Sequence, residues 1–94
     1  MTVGLLTLEL FLPASGSLKE KRQVIQGLLR RLRNRQNVAA AEVGYQDLWQ
    51  RATVAFVSVG ASQTILDQIF DAVVAEAERA VPGEVVRAER EFLG

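Results

Sequence analysis

The chain has 94 residues, 49% of them hydrophobic and 23% charged, with eleven basic and eleven acidic side chains and neither histidine nor cysteine. A chain of this size builds one core, burying about 60–65% of the surface its unfolded form exposes, and its composition is that of a chain that folds. Without histidine and cysteine there is no disulfide, no thiolate nucleophile, no imidazole proton shuttle and none of the usual transition-metal sites.

These facts predict one globular domain over residues 1–94, no catalytic residue, no metal and no cofactor. No apolar run approaches the roughly 18–20 residues that cross a bilayer, and Met1-Thr2-Val3-Gly4 lacks the basic flank of a signal peptide. A cytoplasmic location away from the membrane is expected.

Residues 2–12 read as a strand: Gly4, Leu6, Leu8, Leu10 and Leu12 form one apolar row, and Val3, Leu5, Thr7, Glu9 and Phe11 a mixed one. After the break at Pro13-Ala14-Ser15-Gly16, Ser17-Leu18-Lys19-Glu20 has the form of a capping box, so a helix starts at Leu18 and ends within 34–37. Leu18, Ile25, Leu28, Leu29 and Leu32 lie within about 100° of one another on its wheel, the stripe of a helix resting on a sheet. Val38–Tyr45 and Arg51–Val59 read as a hairpin around a polar turn at 46–50. A second helix is capped at Ser62 and carries Ile65, Leu66, Ile69, Val73, Ala77 and Ala80 on one face; Pro82-Gly83 stops it, and Glu84–Leu93 forms the last strand. This order predicts an α+β, ferredoxin-like β-α-β-β-α-β sandwich, a four-stranded antiparallel sheet with both helices on one face.

The stretches Ser17-Leu18-Lys19-Glu20-Lys21-Arg22 and Asp47-Leu48-Trp49-Gln50-Arg51-Ala52, with Gly4-Leu5-Leu6 and Val38-Ala39-Ala40-Ala41-Glu42-Val43, resemble the YlxP-like family of small uncharacterised bacterial proteins. The resemblance spans nearly the whole chain and implies a fold, not a mechanism. It also implies a setting, since genes of that family often stand beside those of translation initiation factor two and a ribosome-binding factor. Ribosomal RNA or a translation factor is therefore the expected partner.

Charge is unevenly placed: residues 1–47 hold seven basic against four acidic side chains, and nine of the eleven basic residues are arginine. On the first helix, Lys19, Arg22, Arg30 and Arg33 share one flank with Gln23 and Gln26, a stripe that suits a nucleic-acid backbone. The competing reading is a solvated face, or one neutralised by Asp67, Asp71, Glu76 and Glu78 of the second helix. Lys21 falls close to the apolar stripe and is expected to snorkel outward from the first turn.

Ser15, Gly16, Ser17 and Lys19 sit at a helix N-terminus that could hold an anion, although P-loop spacing is missing and capping accounts for the same residues. Glu42 and Asp47 are the one pair of acids that a hairpin could bring together, for Mg²⁺ or acid–base work, against solvated charges as the plainer reading. The central strands lack the aromatic signature of RNA-recognition sheets. Instead the uncovered face, with Val3, Leu5, Phe11, Thr53, Ala55 and Val57, is apolar enough to predict a homodimer, through that face or through the edge strand Val38–Tyr45. Trp49 is either local core or an interface anchor, and Phe11, Trp49 and Val57 are the candidate contact residues. Two functions follow: an accessory binding module for RNA or the ribosome, or a dimeric ligand-sensing or assembly domain without a nucleic-acid role.

Overall fold

Strict alternation along β1 (Thr2–Phe11) sends Leu6, Leu8 and Leu10 to one face, where all three are fully buried in the computed structural model, which describes residues 1–94. They meet the apolar stripes of α1 (Leu18–Arg35) and α2 (Gln63–Ala80), and the buried cluster is completed by Ala52, Val54 and Phe56 of β3 (Arg51–Gly60). The short β2 (Ala39–Gly44) and the long β4 (Glu84–Leu93) form the two edges of one antiparallel sheet of order β2-β3-β1-β4. Both helices cover the same face, α1 toward β2 and α2 over β1, β3 and β4, which is the ferredoxin-like arrangement.

Local chemistry sets the boundaries. Ser17 and Ser62 accept hydrogen bonds from the backbone N–H groups of Glu20 and Ile65, capping the helices at the residues their sequence predicts. At Gly4 a Cβ would lie 2.8 Å from the Phe70 ring, so the glycine lets α2 settle onto β1. β2 is shorter than the pattern suggests. A bulge interrupts its pairing between Glu42 and Gly44, and Tyr45 adopts a left-handed φ of 57°, turning the chain out of the sheet. A second bulge lies in β4, opposite Glu9 and Leu10. Ile65, placed by periodicity on the core stripe, is 44% exposed because it lies at the margin of a stripe centred on Leu66, Phe70, Val73 and Ala77, and the fully buried Leu66 fills the core position of that turn.

Candidate interaction surfaces

The basic flank of α1 lies on the side away from α2. Lys19, Arg22 and Arg30 are exposed and take part in no salt bridge. Three of the four acids of α2 are engaged elsewhere: Glu76, nearly buried, gathers Arg31, Arg35 and Arg79, while Asp67 and Asp71 hold Arg90 of β4; Glu78 is exposed and takes part in no salt bridge. α2 therefore neutralises the other flank of α1. Arg33 differs from its neighbours, since its guanidinium donates to the Ala40 carbonyl of β2 at 2.9 Å and is partly committed to the fold.

At the α1 N-terminus, Glu20 accepts from the Gly16 N–H at 2.8 Å, one residue before the Ser17 N–H that a strict capping box uses. A carboxylate thus already occupies the donor that an anion would use, and Ser15 is buried beneath the loop. The geometry around Ser15, Gly16, Ser17 and Lys19 is that of a capped helix whose own negative charge repels another.

Lys21 corrects the expectation of snorkelling. Its side chain is fully buried, and its ammonium donates to the carbonyls of Tyr45 at 2.7 Å and Arg51 at 3.1 Å, with a Glu42 carboxylate oxygen at 3.0 Å. An ammonium has three protons and here it has three partners. That Glu42 oxygen receives no well-directed hydrogen bond, so the contact is ionic and Lys21 is its only partner. Glu42 is consequently tied to a lysine, and no group of three or more acids is placed to hold a metal ion.

Around this buried charge the β2–β3 loop is held firmly. The Tyr45 carbonyl also accepts from Leu48 N–H, Leu12 N–H donates to the Gln50 carbonyl, and Gln50 Nε2 donates to the Pro13 carbonyl. Arg51 lies 4.9 Å from the centre of the Tyr45 ring and 3.9 Å from Glu9. From this fixed frame Leu48 and Trp49 stand out, 46% and 52% exposed. Trp49 is not local core. With Phe11, Asp47, Leu48, Gln50 and Arg51 it lines an open cleft of about 450 Å³.

Phe11 and Arg51 pair across β1 and β3 on the face opposite the helices, so the cleft borders the uncovered sheet. On that face Val3 pairs with Val59 and Leu5 with Val57; Val57 and Val59 are 44% and 49% exposed, and Leu93 of β4 is 74% exposed. The sequence marks this surface through the mixed second row of β1. It gives less notice of Lys21 as a loop anchor, whose one signal is a lysine in the apolar arc of a helix, and none of Arg90. That guanidinium reaches from β4 to Asp67 at 2.8 Å and Asp71 at 2.7 Å. Burial works to lower the Arg90 pKa, but hydrogen bonds and charges from Asp71 and Asp67 outweigh it and raise it from its ordinary value.

Among solved structures the chain is similar to a mutant of SnoaB, a cofactor-independent oxygenase from Streptomyces nogalater, with a TM-score of 0.52 at 10% identity over 99% of this chain and 91% of that one. At such identity the likeness shows the fold alone. A REP-associated tyrosine transposase bound to a REP hairpin gives a TM-score of 0.45 at 10% identity, over 98% of this chain and 56% of the other. No helix is long and apolar enough to cross a membrane. In sequence, the chain is 37% identical over 73 residues to the uncharacterized protein YlxP of Bacillus subtilis (strain 168), covering 78% of this chain and 79% of that protein. The model of the family described as "Protein of unknown function (DUF503)" matches residues 3–90, and the chain belongs to that family.

Proposed function

We propose that the protein is a small accessory module that binds the phosphate backbone of RNA through the outer flank of α1, with Lys19, Arg22 and Arg30 as the contacting cations and Arg33 in a lesser role. The observation that carries this reading is the absence of any ion pair to the first three, while every arginine on the opposite flank is held by Glu76. A net charge of zero does not oppose it, because screening confines the relevant field to about 8–10 Å around the flank. At about 1.5 Å per residue Arg22 stands about one turn beyond Lys19 and Arg30 about two turns beyond Arg22, a row along which a phosphate backbone can run without every phosphate being met, and the implied setting beside translation genes favours ribosomal RNA as the source. A base-reading sheet is not part of the reading, since Phe11 alone, at the end of β1, does not make the aromatic signature of RNA-recognition sheets.

Three or four phosphate contacts give a slope of log K against log salt of about −2 to −4. Titrating a ribosomal RNA fragment across a salt series is expected to return that slope, and replacing Lys19, Arg22 and Arg30 with alanine is expected to flatten it. Binding that is absent at low salt, or indifferent to the triple substitution, refutes the proposal.

A further inference from the structure

We propose that the uncovered face of the sheet is the contact surface between two copies of this chain, and that each copy covers Trp49 of the other. The proposal is independent of RNA binding, because the basic flank of α1 lies in the opposite layer of the molecule.

Association through a sheet edge is blocked at both ends. On β2 the Arg33 guanidinium occupies the Ala40 carbonyl and a bulge disrupts the ladder; on β4 a second bulge and the charges of Arg87, Glu89 and Glu91 do the same. These are the devices that keep edges from pairing. On β1 and β3 the end of the open face around Val3 and Leu5 has no such protection. Val3, Leu5, Val57, Val59 and Leu93 form a continuous apolar block at one end, and Thr7, Ala55 and Ala41 keep the centre low.

The charges on this face argue for a copy of itself and not for a charged partner. Glu9 is paired with Arg51, and Arg87 with Glu89, so the face offers no free cation to a nucleic acid and no unmet cation to an acidic protein. Glu84 and Glu91 are unpaired, but they belong to the edge strand, where water still reaches them. An isologous contact uses one patch twice, and these ion pairs leave only the edge acids Glu84 and Glu91 to stay at the wet margin while the apolar blocks meet.

Area brings the loop into the contact. Three ten-residue strands and one of six, at about 3.4 Å per residue and 4.8 Å between strands, give a face on the order of 600 Å². A stable dimer takes about 800 Å² from each partner. The adjoining surface of Leu48 and Trp49 makes up the difference, and their loop is already immobilised by Lys21, so little ordering is left for association to bring about.

The test is sedimentation of the full chain at about 100 μM, where a micromolar dimer is almost wholly associated. A dimer is expected for the unaltered chain and for the Arg22→Ala, Arg30→Ala double variant, and a monomer for Val57→Glu and for Val59→Lys with unchanged circular dichroism. Trp49 is the sole tryptophan, so its emission is expected to shift to the red on dilution as the dimer dissociates. An unaltered chain that sediments as a monomer, a dimer that survives both face substitutions, or Trp49 emission that stays constant through dissociation overturns the proposal.

Discussion

A fully buried ammonium is tolerable at Lys21 because the Tyr45 and Arg51 carbonyls and the Glu42 carboxylate replace the water it loses. Tyr45 takes a conformation that a bulky residue avoids at roughly 1–2 kcal/mol, and its carbonyl is held by both Lys21 and Leu48. Removing the ammonium strips the buried Glu42 oxygen of its cation and the Arg51 carbonyl of this donor, and leaves the Tyr45 carbonyl to Leu48 alone. Lys21→Met is therefore expected to lower unfolding free energy by about 3–5 kcal/mol, read from urea melts, with part of it recovered in the Lys21→Met, Glu42→Leu double variant. A second variant showing no recovery refutes the ion pair as the cause. Residue order alone places Lys21 on the apolar arc of α1, but not beside these partners. Two of the three are main-chain oxygens, 24 and 30 residues further along, whose position depends on how the hairpin closes.

The six elements follow from cues that are local: alternation in β1 and β3, serine caps at 17 and 62, and Pro82-Gly83 after α2. What local cues miss is long-range. The bulges in β2 and β4 arise from pairing, and the Arg90 clamp joins α2 to β4 across 19 to 23 residues. Two glycines separate local from tertiary demands. Gly27 sits inside α1 with nothing within 4 Å of an added Cβ, so Gly27→Ala is expected to stabilise the protein by about 0.5–1 kcal/mol in thermal melts. At Gly83 a Cβ would lie 1.9 Å from the Phe11 carbonyl oxygen, where β1 and the start of β4 pass each other. There Gly83→Ala is expected to destabilise by about 1–3 kcal/mol or more. Equal effects at the two sites would contradict this packing.

For the molecule as a whole, the layered fold separates its two surfaces: helices carry the cations outward, and the sheet keeps its apolar face for the other side. Pairing through that face would present two basic flanks on one particle and raise avidity for a long RNA over a short one. Val57→Glu is then expected to weaken binding to a long ribosomal fragment by tenfold or more while leaving a short hairpin bound as before, as measured by titration. Sequence patterning discloses both surfaces but not their relation, which depends on the side of the sheet to which each row turns. The β1–β4 ladder has one further consequence, for the order of events in folding. Val3 pairs with Leu93, almost the full length of the chain away, whereas β2 meets β3 across a short loop. Closing so long a loop is slow, so β4 should join last and, at an exposed edge, leave first. Its amide protons are expected to exchange with solvent well before those of β3, in an opening that bares one side of β1 while α1, β2 and β3 stay assembled.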